Sequence, residues 1–145
     1  MGDSYPTVKV AAVQAASVFL DRDGSTEKAC RLIREAGAIG ARVIAFPEGF
    51  IPAHPVWYHH HPATGAIANK LAVELFKNSL EIPGPETDAL GAAARDANAY
   101  VVIGVCEKMP QTIGTMFNTQ LYFGPDGTLI PVSYTHLTLP TILLV

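Results

Sequence analysis

Apolar residues fall along this chain in two rhythms. Compact runs of small and β-branched residues occupy positions 8–15, 43–46 and 100–106. Between them lie longer stretches in which apolar residues recur every three or four positions. The runs suit buried strands and the spaced stretches suit amphipathic helices. The first run, broken only by Lys9 and Gln14, predicts a strand. Asp21-Arg22-Asp23-Gly24-Ser25 then offers several helix N-caps. Ala29, Leu32, Ile33, Ala36 and Gly37 share one face of the helix that follows, and Gly40 ends it. Cys30 within it reads as a small buried thiol. The run at 43–46 comes next, so this is a βαβ unit with parallel strands and a right-handed crossover.

Residues 51–65 break both rhythms. Pro52, Pro55 and Pro62 exclude a regular element, and Trp57, Tyr58 and four histidines (His54, His59, His60, His61) crowd the same stretch. A long ordered loop is expected there. Helical spacing returns at 68–80, with Leu71, Leu75 and Phe76 on one face. After Ile82-Pro83-Gly84-Pro85 it returns again at 86–98, with Leu90, Ala93, Ala94 and Ala97. The run at 100–106 predicts a strand buried on both faces. Residues 115–123 predict another strand, and Pro125-Asp126-Gly127 a turn into a third at 128–130, making a hairpin. The pattern forecasts a mixed, parallel-rich sheet with three helices on one face.

Composition narrows the function classes. At 145 residues the chain suits one domain, and 49% hydrophobic with 16% charged residues is globular. A net charge of −3, with ten scattered Lys and Arg, argues against a nucleic-acid partner. The two cysteines, Cys30 and Cys106, lack metal-type spacing and suit reduced thiols in a cytoplasmic protein. Neither a signal peptide nor an N-terminal lipid site is expected from the first six residues. The uncharged stretch after Asp126 contains Ser133, Thr135, His136, Thr138, Pro140 and Thr141, which disfavour a membrane span. Three consecutive histidines cannot all face one ion from a regular element, so no metal is expected.

One residue stands out for chemistry. Pro47 stops the strand at 43–46, and the next residue, Glu48, is delivered just past the strand's carboxyl end. Ligand sites of open α/β sheets cluster there. Phe46, Phe50 and Ile51 flank it, and an apolar pocket tunes a carboxyl toward general acid–base work. The plain alternative is a solvated or salt-bridged loop carboxylate. The expectation is that Glu48 faces the mouth of the sheet and not bulk solvent.

Five stretches, agreeing in order and spacing, carry a family resemblance. They are residues 8–14; Phe46-Pro47-Glu48-Gly49-Phe50-Ile51-Pro52; His54-Pro55-Val56-Trp57-Tyr58; Glu81-Ile82-Pro83-Gly84-Pro85-Glu86-Thr87; and Met116-Phe117-Asn118-Thr119-Gln120 leading to Pro125-Asp126-Gly127. Over residues 8–130 the chain resembles the amino-terminal half of the nitrilase superfamily of carbon–nitrogen hydrolases, most closely the nitrilase branch. The resemblance implies an α/β fold, the amino-terminal half of an αββα sandwich. It implies hydrolysis of a nitrile to a carboxylic acid and ammonia by Glu, Lys and Cys, without a cofactor. Glu48 matches the general base, and Trp57 and Tyr58 are expected to shape the substrate entrance. It further implies a small-molecule nitrile or amide as substrate and a homo-oligomer at full length.

The departures from the family pattern matter as much. Where the family supplies its Lys, this chain reads Pro131-Val132-Ser133-Tyr134-Thr135. No Lys follows Lys108 and no Cys follows Cys106. Cys106, at the end of a buried strand and outside any family motif, is expected to be structural. The expected organisation is an extension at 1–7, a partial hydrolase domain at 8–130 and a tail at 131–145 that departs from the pattern. Such a chain is expected to be inactive alone, with an apolar sheet face uncovered. Two alternatives are a fragment of the amidase or carbamoylase branch, and a non-catalytic α/β interaction module.

Overall fold

A computed structural model describes residues 5–112 and 114–130. The expected tail at 131–145 lies outside them. Strands β1 (Val10–Ala12), β2 (Val43–Ala45), β3 (Tyr100–Lys108) and β4 (Met116–Phe123) form one sheet in the order β1-β2-β3-β4. The described residues also form helices α1 (Arg22–Ala38), α2 (Ala66–Asn78) and α3 (Pro85–Ala97), with a short 3-10 helix at Val56–His59 inside the Pro-rich loop. β1 and β2 are parallel, β2 and β3 are parallel, and β4 returns antiparallel to β3. The βαβ unit is therefore parallel, as its sequence rhythm predicts.

Local chemistry sets the helix ends. The Asp21 carboxylate accepts from the Gly24 backbone N–H at 2.9 Å and starts α1. Pro85 opens α3, where its missing N–H costs nothing, and Asn98 ends it in a left-handed conformation. β1 is shorter than its apolar run because β2 is short. After Ala45 the chain leaves the ladder, and β1 has nothing further to pair with.

Strand alternation gives the sheet two unlike faces. Ile44, Val101, Ile103, Val105, Leu121 and Phe123 point to one face and are buried against Ala29 and Ile33 of α1 and Leu90, Ala93 and Ala94 of α3. Fully burying each large aliphatic side chain here stabilises by about 1.5–3 kcal/mol. The ion pairs Arg22–Glu86 and Arg34–Asp96 join α1 to α3 but are worth little beside that core. The forecast of three helices on this face is corrected by α2. Its Ala68 and Leu75 pack in a separate cluster with Trp57 and Cys106, and Leu20, Leu71 and Met116 border it. Cys106 alternates with Val105, so this cluster covers the opposite face at the carboxyl end of β3.

Among the described residues, no element covers the rest of that opposite face. Val10 is 68% exposed and Tyr100 52%, Ala12 and Ala45 are exposed, and Val43, Val102 and Tyr122 are half-buried. An apolar sheet face of this kind needs a cover.

Candidate active site

The site is built by an interruption of the β2–β3 ladder. Ala45 pairs with Val102, and the Phe46 N–H donates to the Val102 carbonyl at 2.8 Å. The next rung runs from the Phe50 N–H to the Gly104 carbonyl, also 2.8 Å, and Ile51 then pairs with Val105. Pro47, Glu48 and Gly49 have no place in the ladder and bulge from it. Sequence explains each part. Phe46 and Phe50 are both buried and meet edge to face, centroids 5.0 Å apart, pinning the two feet of the bulge in the helix-side core. Pro47 has no N–H to offer a rung. Gly49 sits at φ +58°, and a Cβ there would come within 3.0 Å of the His54 Cα.

The bulge crosses directly over Gly104. A Cβ at position 104 would lie 2.7 Å from the Glu48 Cα and 2.8 Å from both the Gly49 nitrogen and the Pro47 carbonyl oxygen. Only a glycine lets the backbone pass so close. This glycine and the bulge escape the apolar pattern, which shows residues 100–106 as one uninterrupted run.

Glu48 is thus presented at the carboxyl end of β2, as expected, but it is exposed and not sheltered. The correction has a plain cause: the bulge rises from the open face, and no described element lies over it. The Asn118 side-chain N–H donates to Glu48 Oε1. Among the described residues Glu48 makes no ion pair. Sequence reading missed a role for Asn118, although the residue stands inside one of the five matching stretches. What brings it here is register: Asn118 is the β4 partner of Cys106, on the face from which the bulge rises.

Cys106 is buried, and its thiol donates to the Ala53 carbonyl at 3.4 Å. Burial, and then the nearby Glu48 carboxylate, push the thiol up from its ordinary 9.0 to about 11. A thiol held in its protonated form is a poor nucleophile, consistent with a structural role. The shift has a stability consequence. The folded chain keeps the Cys106 proton to about pH 11, whereas the unfolded chain releases it near 9.0. The resulting stabilisation is complete below pH 9 and is lost as pH rises through about 11, on the order of 2 kcal/mol in all. Urea unfolding of the wild type and Cys106→Ala tests this, because other titrating groups cancel between the two. The stability gap between them is expected to narrow from pH 8 to pH 11, and a constant gap would contradict the assignment.

Of the two expected entrance residues, Trp57 is buried at 5% exposure and Tyr58 is exposed at 45%. Trp57 meets the Phe19 ring edge on at 6.1 Å and packs in the cluster with Cys106. Its indole N–H has no hydrogen-bond partner among the described residues. Within the same residues no group of three His, Cys, Asp or Glu side chains is placed to hold a metal ion. No helix there is long and apolar enough to cross a membrane.

The family model described as carbon-nitrogen hydrolase matches residues 9–143. A nitrilase of Bacillus sp. (strain OxB-1) is 44% identical over 127 residues, which cover 88% of this chain and 36% of that protein. An aliphatic nitrilase of Rhodococcus rhodochrous is 40% identical over 126 residues, covering 86% and 33%. The chain thus spans little more than a third of the length of these relatives. Among solved structures, a nitrilase-superfamily member from Saccharomyces cerevisiae aligns with a TM-score of 0.60 at 20% identity, covering 86% of this chain and 42% of that one. A CN-hydrolase superfamily protein from Xanthomonas campestris aligns with a TM-score of 0.59 at 19% identity, covering 85% and 38%. These two likenesses are of fold.

Proposed function

This chain belongs to the carbon-nitrogen hydrolase family, and we propose that it is the amino-terminal part of a nitrilase in which Glu48 is the general base. The observation that carries the reading is the bulge over Gly104. It sets one carboxylate at the strand's carboxyl end, with no ion pair among the described residues, in a chain 44% identical to a nitrilase. Nitrile rather than amide is favoured by the names of the relatives at 36–44% identity.

The chemistry assigns Glu48 one job. Its carboxylate takes the proton of a cysteine thiol supplied by the remainder of the enzyme, and the sulfur bonds to the nitrile carbon. The nitrile nitrogen receives that proton as a thioimidate forms. Addition of water and departure of ammonia leave a thioester, and a second water releases the carboxylic acid and restores the thiol. A lysine ammonium from the remainder stabilises the charge that grows on nitrogen. Residues 8–130 act as the partial domain, and their open sheet face receives the second sheet of the sandwich. On the substrate side Tyr58 is presented to solvent, while Trp57 backs the wall that contains Cys106. Full-length assembly as a homo-oligomer belongs to the same proposal.

The test is a completed enzyme: residues 1–130 of this chain continued by the carboxyl-terminal part of the Bacillus nitrilase. It is expected to convert aliphatic or aromatic nitriles to acid and ammonia in equal amounts, measured by chromatography and an ammonia assay. Turnover of amides with none of nitriles would contradict the nitrilase reading.

A further inference from the structure

We propose that Asn118 is the positioning residue of the base: its amide N–H holds Glu48 Oε1 and leaves Oε2 as the atom that takes the proton. The proposal rests on the reading of Glu48 as the base. It begins with a difficulty. A glutamate on an exposed bulge rotates freely about its side-chain bonds, whereas a base must be held in one geometry to act. Asn118 Nδ2 donates to Oε1, and Oε2 makes no hydrogen bond within the described residues. One oxygen is therefore fixed and the other is available.

The identity of the donor matters. An arginine or lysine here would orient the carboxylate equally well, but its charge would hold the carboxylate ionised and weaken it as a base. An asparagine amide donates without neutralising. Its own support is rigid. Asn118 lies within the paired length of β4 opposite Cys106, and the next residue, Thr119, is buried on the other face with its hydroxyl donating to Glu107 Oε2 at 2.7 Å. The strand thus anchors the amide, and the amide anchors a carboxylate that no cation holds among the described residues.

The experiment compares wild type, Asn118→Leu, Asn118→Asp and Glu48→Gln in the completed enzyme. Asn118→Leu removes the donor at similar size; Asn118→Asp keeps the shape and replaces the donor with a second carboxylate. Both are expected to lower kcat about tenfold or more with KM changed less than about twofold, as loss of a hydrogen bond to a charged group requires. A purely structural role lowers the melting temperature but leaves kcat unchanged where the variant is fully folded. In parallel, the Asn118 side-chain N–H resonance is followed by NMR in the 145-residue chain, where Glu48→Ala is expected to move it upfield as the hydrogen bond is lost. Wild-type kcat in Asn118→Leu, beside an inactive Glu48→Gln, would overturn the positioning role and leave the base reading standing. An active Glu48→Gln would overturn the base reading, while the amide resonance still reports whether Asn118 holds the carboxylate.

Discussion

Glu48→Gln in the completed enzyme is expected to reduce kcat/KM by about 10²–10⁴-fold, the contribution of a positioned acid–base group. The substitution keeps size and shape and removes only the capacity to take a proton. Stability is expected to stay within about 0.5 kcal/mol, because Glu48 is exposed and makes no ion pair among the described residues. The glutamine Oε1 still accepts from Asn118, so the bulge has no reason to move. Steady-state kinetics and a urea melt on the same preparation separate the two quantities. Turnover near that of the wild type removes Glu48 from the mechanism.

Gly104→Ala is the second large effect, and it acts through backbone. The added methyl would fall 2.7–2.8 Å from the Glu48 Cα, the Gly49 nitrogen and the Pro47 carbonyl oxygen. None of these is the end of a flexible side chain, so the bulge itself must shift. Overpacking of this kind costs about 1–3 kcal/mol. A shift of about 1 Å in a catalytic group costs about 10²-fold in rate. Both losses are expected together: a lower urea midpoint for the 145-residue chain and a depressed kcat for the completed enzyme. An alanine variant with wild-type stability and rate would show that the close crossing places no constraint on Glu48.

The reach of the sequence follows from what local pattern encodes. The βαβ unit was legible because residues 8–15, interrupted only by Lys9 and Gln14, the stripe through Ala29 and Ile33, and residues 43–46 each carry one clear rhythm. The antiparallel return of β4 leads into the Asp126-Gly127 turn, which hydrogen-bonded backbone at Gly124 and Thr128 closes. The position of Glu48 just past β2 was legible because Pro47 marks the strand's end. The bulge was not. Phe46 and Phe50 look like two more apolar positions, and only their shared burial shows that the chain between them leaves the sheet. Asn118 was hidden for a similar reason, since a register that sets it opposite Cys106 and near a bulge from a third strand is a tertiary fact. The stripe of α2 has the same rhythm as that of α3, and periodicity alone does not say which sheet face a helix covers. Trp57 and Tyr58 are neighbours in sequence, and sequence alone does not say that Trp57 is buried with α2 and Cys106 while Tyr58 is exposed.

The account holds that this chain carries the base of a nitrilase and needs the remainder of the enzyme for the other catalytic groups. Catalytic groups act as a unit, so a base without its nucleophile retains almost none of the rate. Ammonia release from a panel of nitriles, measured side by side for the 145-residue chain, its Cys106→Ala variant and the completed enzyme, tests this most directly. The account predicts no turnover by either short chain and sustained turnover by the completed enzyme. Nitrile hydrolysis by the short chain, whether or not it survives Cys106→Ala, would contradict it.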